Sequence, residues 1–95
     1  MPYVRISLMK PLAGKEAEVE KLNQDLVAMY SQAEGCLLAH FVRSVDGSGE
    51  MGRLALWDSE GAADRAATSN RSMSLRSRLH ILVRKGHQDR SFRAE

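Results

Sequence analysis

GCLLAHFVRSV (35–45), DGSGE (46–50) and MGRLALW (51–57) follow one another without a break and decide the fold. Two short apolar runs flank Asp46, Gly47, Ser48 and Gly49, the composition of a tight loop between antiparallel strands. The second run ends on Trp57, and DSEGAADRAA (58–67) starts a helix at once. Asp58 or Ser59 can cap that helix, which spans Glu60 to Ala67. Trp57, the only tryptophan, therefore stands where a strand gives way to a helix, a position that favours a cleft.

Upstream of the hairpin, Val19, Leu22, Leu26 and Tyr30 fall on one face of a helix running from about Lys15 to Gln32. Glu16, Glu18 and Glu20 sit near its positive end. Gly35 restarts the chain for the next strand. Before the helix, Tyr3 to Met9 alternates as a strand, with Tyr3, Arg5, Ser7 and Met9 on one face and Val4, Ile6 and Leu8 on the other. Pro11 and Gly14 end it. Downstream, Thr68 to Ser72 breaks the alanine-rich helix. A further helix over Met73–Arg84 carries Leu75, Leu79 and Leu82 on one side and stops at Gly86. Arg84 and Lys85 then fall in its last turn, where positive charge suits the helix dipole. The polar stretch His87–Arg93 suits an edge strand.

Strand, helix, hairpin, helices and strand make an α+β chain of the ferredoxin-like split βαβ type. The expected architecture is one antiparallel four-stranded sheet with the helices on one face, in a single domain over residues 1–95. Both strand faces are apolar: Val4, Ile6, Leu8, Leu54 and Leu56 on one, Met9, Met51, Ala55 and Trp57 on the other. Helices can cover only one of them, so the bare face predicts a homodimer. A chain of 95 residues buries only about 60–65% of its unfolded surface alone, so such an interface would help it.

Composition excludes several classes. No run approaches the ~20 apolar residues of a membrane span. MPYVRISLMK is too short and too polar for a signal peptide. A lone cysteine, Cys36, cannot form an intrachain disulfide or a cysteine-based zinc site, and fits an inert thiol in a reducing cytoplasm. Net charge is +2 but uneven: residues 1–64 carry net −4 and residues 65–95 net +6. That basic third reads as a solvated helix face and tail. RNA-recognition domains of the same element order stack bases on aromatic residues of a middle strand. MGRLALW offers leucine and alanine there, so no nucleic-acid partner is expected.

His40, His80 and His87 show no metal-ligand spacing and no carboxylate cluster, so no metal is expected. Neither a Ser-His-Asp pattern nor a phosphate loop occurs. His40, mid-strand on the face of Cys36, Leu38 and Val42, is the candidate general base, because imidazole titrates near neutral pH. If the first and third strands are neighbours, Arg5, Ser7, Arg53 and Trp57 share one face. They would then set oxyanion donors beside an aromatic wall. Tyr3 and Tyr30 could add hydroxyl donors. Arg5 and Arg53 could equally pair with Glu50, Asp58 or helix carboxylates.

Gly35-Cys36-Leu37, the DGSGE hairpin, LALWDSEGAADRAA and Ser69-Asn70-Arg71 together resemble the antibiotic biosynthesis monooxygenase domain, of the dimeric α/β-barrel superfamily. The resemblance implies two sheets packed face to face across a homodimer, helices outside, and a ligand cleft between each sheet and its own helices. Some members oxygenate polyketide-derived phenols or anthrones with no metal or flavin. Others degrade haem, using an asparagine on the first strand, a tryptophan ending the third and a histidine on the second helical segment. Trp57 matches that tryptophan, whereas Ser7 and the region of Ala67 depart from the other two, so haem turnover is not expected. What remains is a cofactor-free monooxygenase acting on a small aromatic or polyketide-derived phenol or anthrone. Its catalytic candidates are Trp57, Arg53 and His40, and its ligand-binding candidates Arg5, Ser7 and Tyr3. The alternative is a non-catalytic homodimer that binds a small ligand.

Overall fold

In a computed structural model that describes residues 2–95, seven elements follow the expected order. They are β1 (Tyr3–Met9), α1 (Glu16–Ser31), β2 (Cys36–Arg43), β3 (Met51–Trp57), α2 (Glu60–Ala67), α3 (Asn70–His80) and β4 (Gln88–Arg93). The strands form one antiparallel four-stranded sheet ordered β2-β3-β1-β4, the ferredoxin-like arrangement. No helix among the described residues is long and apolar enough to cross a membrane.

Register decides which side chains meet. Tyr3 faces Trp57, Arg5 faces Ala55, Ser7 faces Arg53 and Met9 faces Met51, so these residues share the inner face of the sheet. There Met9, Met51, Ala55 and Trp57 close a core with Val19, Leu22, Leu26 and Tyr30 of α1, Ala62 and Ala63 of α2, and Leu75 and Leu79 of α3. Each large apolar side chain buried this way contributes about 1.5–3 kcal/mol. On the outer face Val4, Ile6, Leu8, Leu54 and Leu56 are only half-buried, and Leu38 and Phe92 are exposed.

Two glycines let these elements approach. Gly35 lies at φ +87°, and a Cβ there would come 2.5 Å from Ala62 Cβ. Its carbonyl accepts from the Asp58 N–H at 2.8 Å, which locks the start of β2 to the corner after Trp57. At Gly52 a Cβ would stand 1.7 Å from the Ser7 carbonyl oxygen, so a side chain would push β3 off β1. Ser59, of the two candidate caps, closes α2: its Oγ accepts from the Ala62 N–H at 3.1 Å.

Three expectations are corrected. The second long helix runs from Asn70 to His80 and not from Met73 to Arg84. Ser69 Oγ accepts from the Ser72 N–H at 3.3 Å and restarts the helix inside the expected break. At its far end the chain leaves the helix to clasp the segment after β1. Leu82 O accepts from Leu12 N at 2.8 Å, and Arg84 N donates to Lys10 O at 2.8 Å. Arg84 and Lys85 therefore lie outside the last turn, which Arg78 and His80 occupy. The third correction concerns β2. Cys36 pairs opposite Trp57 but Leu38 opposite Leu56, so a bulge at Leu37 breaks the alternation. Cys36 packs against the core, while Leu38, His40 and Val42 turn to the outer face.

Candidate functional site

A cavity of about 390 Å³ lies between the inner face of the sheet and the helices. Its floor is Ser7, Arg53, Ala55 and Trp57, its far wall Tyr30, Arg76 and Leu79, and its rim His80, His87 and Asp89. Trp57, 2% exposed, is both core and wall. The Tyr30 ring meets it edge-on, with centroids 5.8 Å apart. Tyr30 in turn is held by a 2.7 Å hydrogen bond between its hydroxyl and the buried Ser72 Oγ.

Arg53 is the unusual group. It is 8% exposed, and Nη1 donates to Asn23 Oδ1 at 2.6 Å. Asn23 is itself fully buried on α1, where its Nδ2 donates to the Val19 carbonyl at 3.0 Å. An amide supplies an acceptor and no countercharge, and among the described residues no carboxylate forms an ion pair with Arg53. Burial pulls the Arg53 pKa down, as expected for a cation withdrawn from water. Tyr30 and Asp89 work against that shift, and nearby Arg76 adds to it. The guanidinium stays protonated at working pH all the same.

Arg5 has the opposite surroundings. Its Nη2 lies 2.6 Å from Asp64 Oδ1 on α2 and 3.3 Å from the Tyr3 hydroxyl. Burial lowers its pKa, but Asp64 and Tyr3 outweigh burial and leave it above the ordinary arginine value. Ser7 donates to Asp89 Oδ1 at 2.6 Å, and His87 Nε2 sits 3.3 Å from Asp89 Oδ2. The His80 and His87 rings stand edge-to-face at 5.5 Å. Arg76 reaches in from α3, donating from Nε to Ser72 Oγ at 3.3 Å and from Nη2 to the Ala67 carbonyl at 2.7 Å.

Of the residues singled out in the sequence, Arg5, Ser7, Arg53 and Trp57 line this cavity together. Tyr3 shares their face and supports Arg5 from beyond the lining. His40 does not join them: it sits opposite Leu54 on the outer face, with the sheet between it and the pocket. Sequence reasoning gives no pocket role to Asn23, Arg76 or Asp89, and weighs His87 only as a metal ligand. Asn23 did leave a signal, a lone amide beside Leu22 in the apolar stripe of α1. Among the described residues no three His, Cys, Asp or Glu side chains converge as a metal-binding group.

The arrangement is a partly open pocket with Trp57 and Tyr30 in its walls, a buried cation on its floor and imidazoles at its rim. Such a site stabilises a negative charge that develops on a bound aromatic molecule. A family model described as antibiotic biosynthesis monooxygenase matches residues 2–72. Among curated proteins, none matches the sequence. Solved structures with the same fold include Rv0793 from Mycobacterium tuberculosis, at 18% identity and a TM-score of 0.91 over 100% of this chain and 96% of that one. A conserved protein from Methanosarcina mazei Go1 is similar at 17% identity and TM-score 0.92, over 100% and 94%. SnoaB, a cofactor-independent oxygenase from Streptomyces nogalater, is similar at 18% identity and TM-score 0.83, over 99% and 93%.

Proposed function

The chain belongs to the antibiotic biosynthesis monooxygenase family, and we propose that its pocket oxygenates a small planar phenol or anthrone with O2, without metal or flavin. The observation that carries this is Arg53, a buried cation without a carboxylate, beside Trp57. A phenol or anthrone that loses a proton becomes an electron-rich anion, and Arg53 is the group to hold its oxygen. His87, oriented by Asp89, is the base at the rim, in the role sequence reasoning had given to His40. The anion passes one electron to O2, and the radical pair combines into a peroxide at carbon. Loss of water from the peroxide leaves a carbonyl. One CH2 becomes C=O, one O2 becomes the carbonyl oxygen and one water, and no external reductant is needed.

Dithranol, an anthrone, serves as the test substrate in chelator-treated buffer with an oxygen electrode. The expected result is one O2 taken up per anthrone oxidised, and loss of most of that rate in Arg53→Gln. Absence of enzyme-dependent uptake would overturn it. A second reading, a binding protein without turnover, is favoured by the position of His40, which leaves no base on the pocket floor. Binding of dithranol without oxygen uptake would select that reading. Haem with a reductant is expected to give no biliverdin-like product, since Ser7 and Ala67 line the pocket without the amide and imidazole that haem chemistry uses.

The outer face is the proposed seam of a homodimer. Val4, Ile6, Leu8, Leu54 and Leu56 form a continuous half-buried apolar surface across β1 and β3. A second copy would cover it and leave each pocket on the far side of its own sheet. The half-buried thiol of Cys36 suits a cytoplasmic setting, its pKa raised by burial.

A further inference from the structure

The charges around the pocket do not balance. Arg5 is neutralised by Asp64 at 2.6 Å. Asp89 is the only carboxylate in the lining, and Ser7 and His87 already occupy its oxygens. Arg53 and Arg76 are both in the lining, and among the described residues neither has a carboxylate partner. Arg90, its guanidinium over the Phe92 ring, lines the pocket as well, so with neutral imidazoles Arg53, Arg76 and Arg90 stand against Asp89 alone and the pocket holds two positive charges in excess. Arg53 is bonded through Nη1 to an amide, and Arg76 to a hydroxyl and a carbonyl, so both guanidinium groups are fixed by neutral acceptors.

A neutral aromatic ligand would make this imbalance worse. It would strip the remaining water from two cations and return no charge. A ligand that arrives as a monoanion halves the excess on binding. We infer that the ligand of this pocket carries a fixed carboxylate besides its ionisable hydroxyl or enol, with the carboxylate taken by Arg76 on the α3 wall and the reacting oxygen facing Arg53. The inference rests on the ligand site proposed above and narrows it to hydroxyaryl carboxylates and their anthrone counterparts. It also fits the proton step. With the carboxylate bound, transfer of the hydroxyl proton to His87 moves charge within the pocket and leaves its total unchanged.

Two probes of matched shape test it by isothermal titration calorimetry at neutral pH and low salt: 3-hydroxy-2-naphthoate and 2-naphthol. The carboxylate is expected to bind at least about 30-fold tighter, with a preference that shrinks as salt rises. Arg76 is exposed and lies outside the core, so Arg76→Gln should stay folded by thermal unfolding. In that variant the preference for the carboxylate probe over 2-naphthol should fall about tenfold or more. Arg76→Lys should restore most of it. Equal binding of the two probes to the wild-type chain would overturn the carboxylate and leave the pocket as a neutral-phenol site. An unchanged preference in Arg76→Gln would overturn the role of Arg76. Failure of both probes to bind, with dithranol also silent, would overturn the ligand site itself and this inference with it.

Discussion

The two faces of the sheet use the same strands and invert the usual distribution of chemistry. The inner face carries Arg5, Ser7 and Arg53 among its apolar residues and is sealed by helices. The outer face is almost purely aliphatic along β1 and β3 and stays half-open to water. Charge sits inside and oil outside. Stability of a lone subunit explains neither choice, because a buried arginine is costly and an exposed apolar sheet invites association. Each fits the occupant proposed for it, an anionic ligand within and a second copy of the chain without. The two arginines of the inner face sharpen the contrast. Arg5 meets a carboxylate from α2 and becomes a structural pair, while Arg53 is bonded to an amide from α1 and, among the described residues, has no carboxylate partner.

Trp57 gives the largest test of the difference. Trp57→Ala should cost about 3–5 kcal/mol in chemical denaturation, since the residue belongs to the core as much as to the pocket. Trp57→Phe keeps most of the volume and should remain folded while affinity for planar aromatic probes drops. Unaltered affinity would assign the indole to packing alone. On the outer face, Leu54→Glu should leave the subunit folded but break association. A loss of about 3 kcal/mol, over a hundredfold in Kd, would shift a dimer to monomers by light scattering at micromolar concentration. A wild-type monomer under those conditions would remove the reason offered for the exposed apolar face.

Asn23→Ala comes next and acts on the inner face only. It strands the buried Arg53 donor and should cost about 1–3 kcal/mol without changing association. The smallest expected effect belongs to neither face. Asp46, in the hairpin loop, is held down to about 2 by hydrogen bonds from Ser44 and Ser48. Its folded pKa lies below the ordinary value of about 3.9, so its contribution is present above that pH and fades as pH falls through about 2. Asp46→Asn should flatten the acid end of the stability profile slightly and leave both faces as they were.

Much of this contrast was legible in the chain. β1, β3 and α2 keep the bounds that periodicity and capping predict, and strand alternation alone puts Arg5, Ser7, Arg53 and Trp57 on one face once β1 lies beside β3. Alternation says which residues travel together, but the side on which helices land is a tertiary choice. For this reason Arg5 and Arg53 read alike in sequence and differ in the fold. His40 follows the same logic: it does alternate with Leu38 and Val42, but that set faces away from the helices. Cys36 was misplaced with them because a single extra residue, Leu37, resets the pleat, and nothing in GCLLAHF marks it. Arg76, His87 and Asp89 were out of reach because α3 and β4 approach Arg53 only through tertiary packing. The early start of α3 rested on one serine cap inside a stretch that reads as a break.

The strand order has a further consequence, for the time course of folding. β1 is hydrogen-bonded on one side to β3 and on the other to β4, so its partners lie roughly half the chain and nearly the whole chain away. Closing loops of that length is entropically slow, and pairings of this kind set the pace of folding. During synthesis Val4, Ile6 and Leu8 are made before residues 51–57 exist to pair with them, and Gln88–Arg93 come later still. The earliest made of these seven elements is therefore among the last to be enclosed. Its aliphatic edge is the segment a nascent chain must keep from its neighbours for longest.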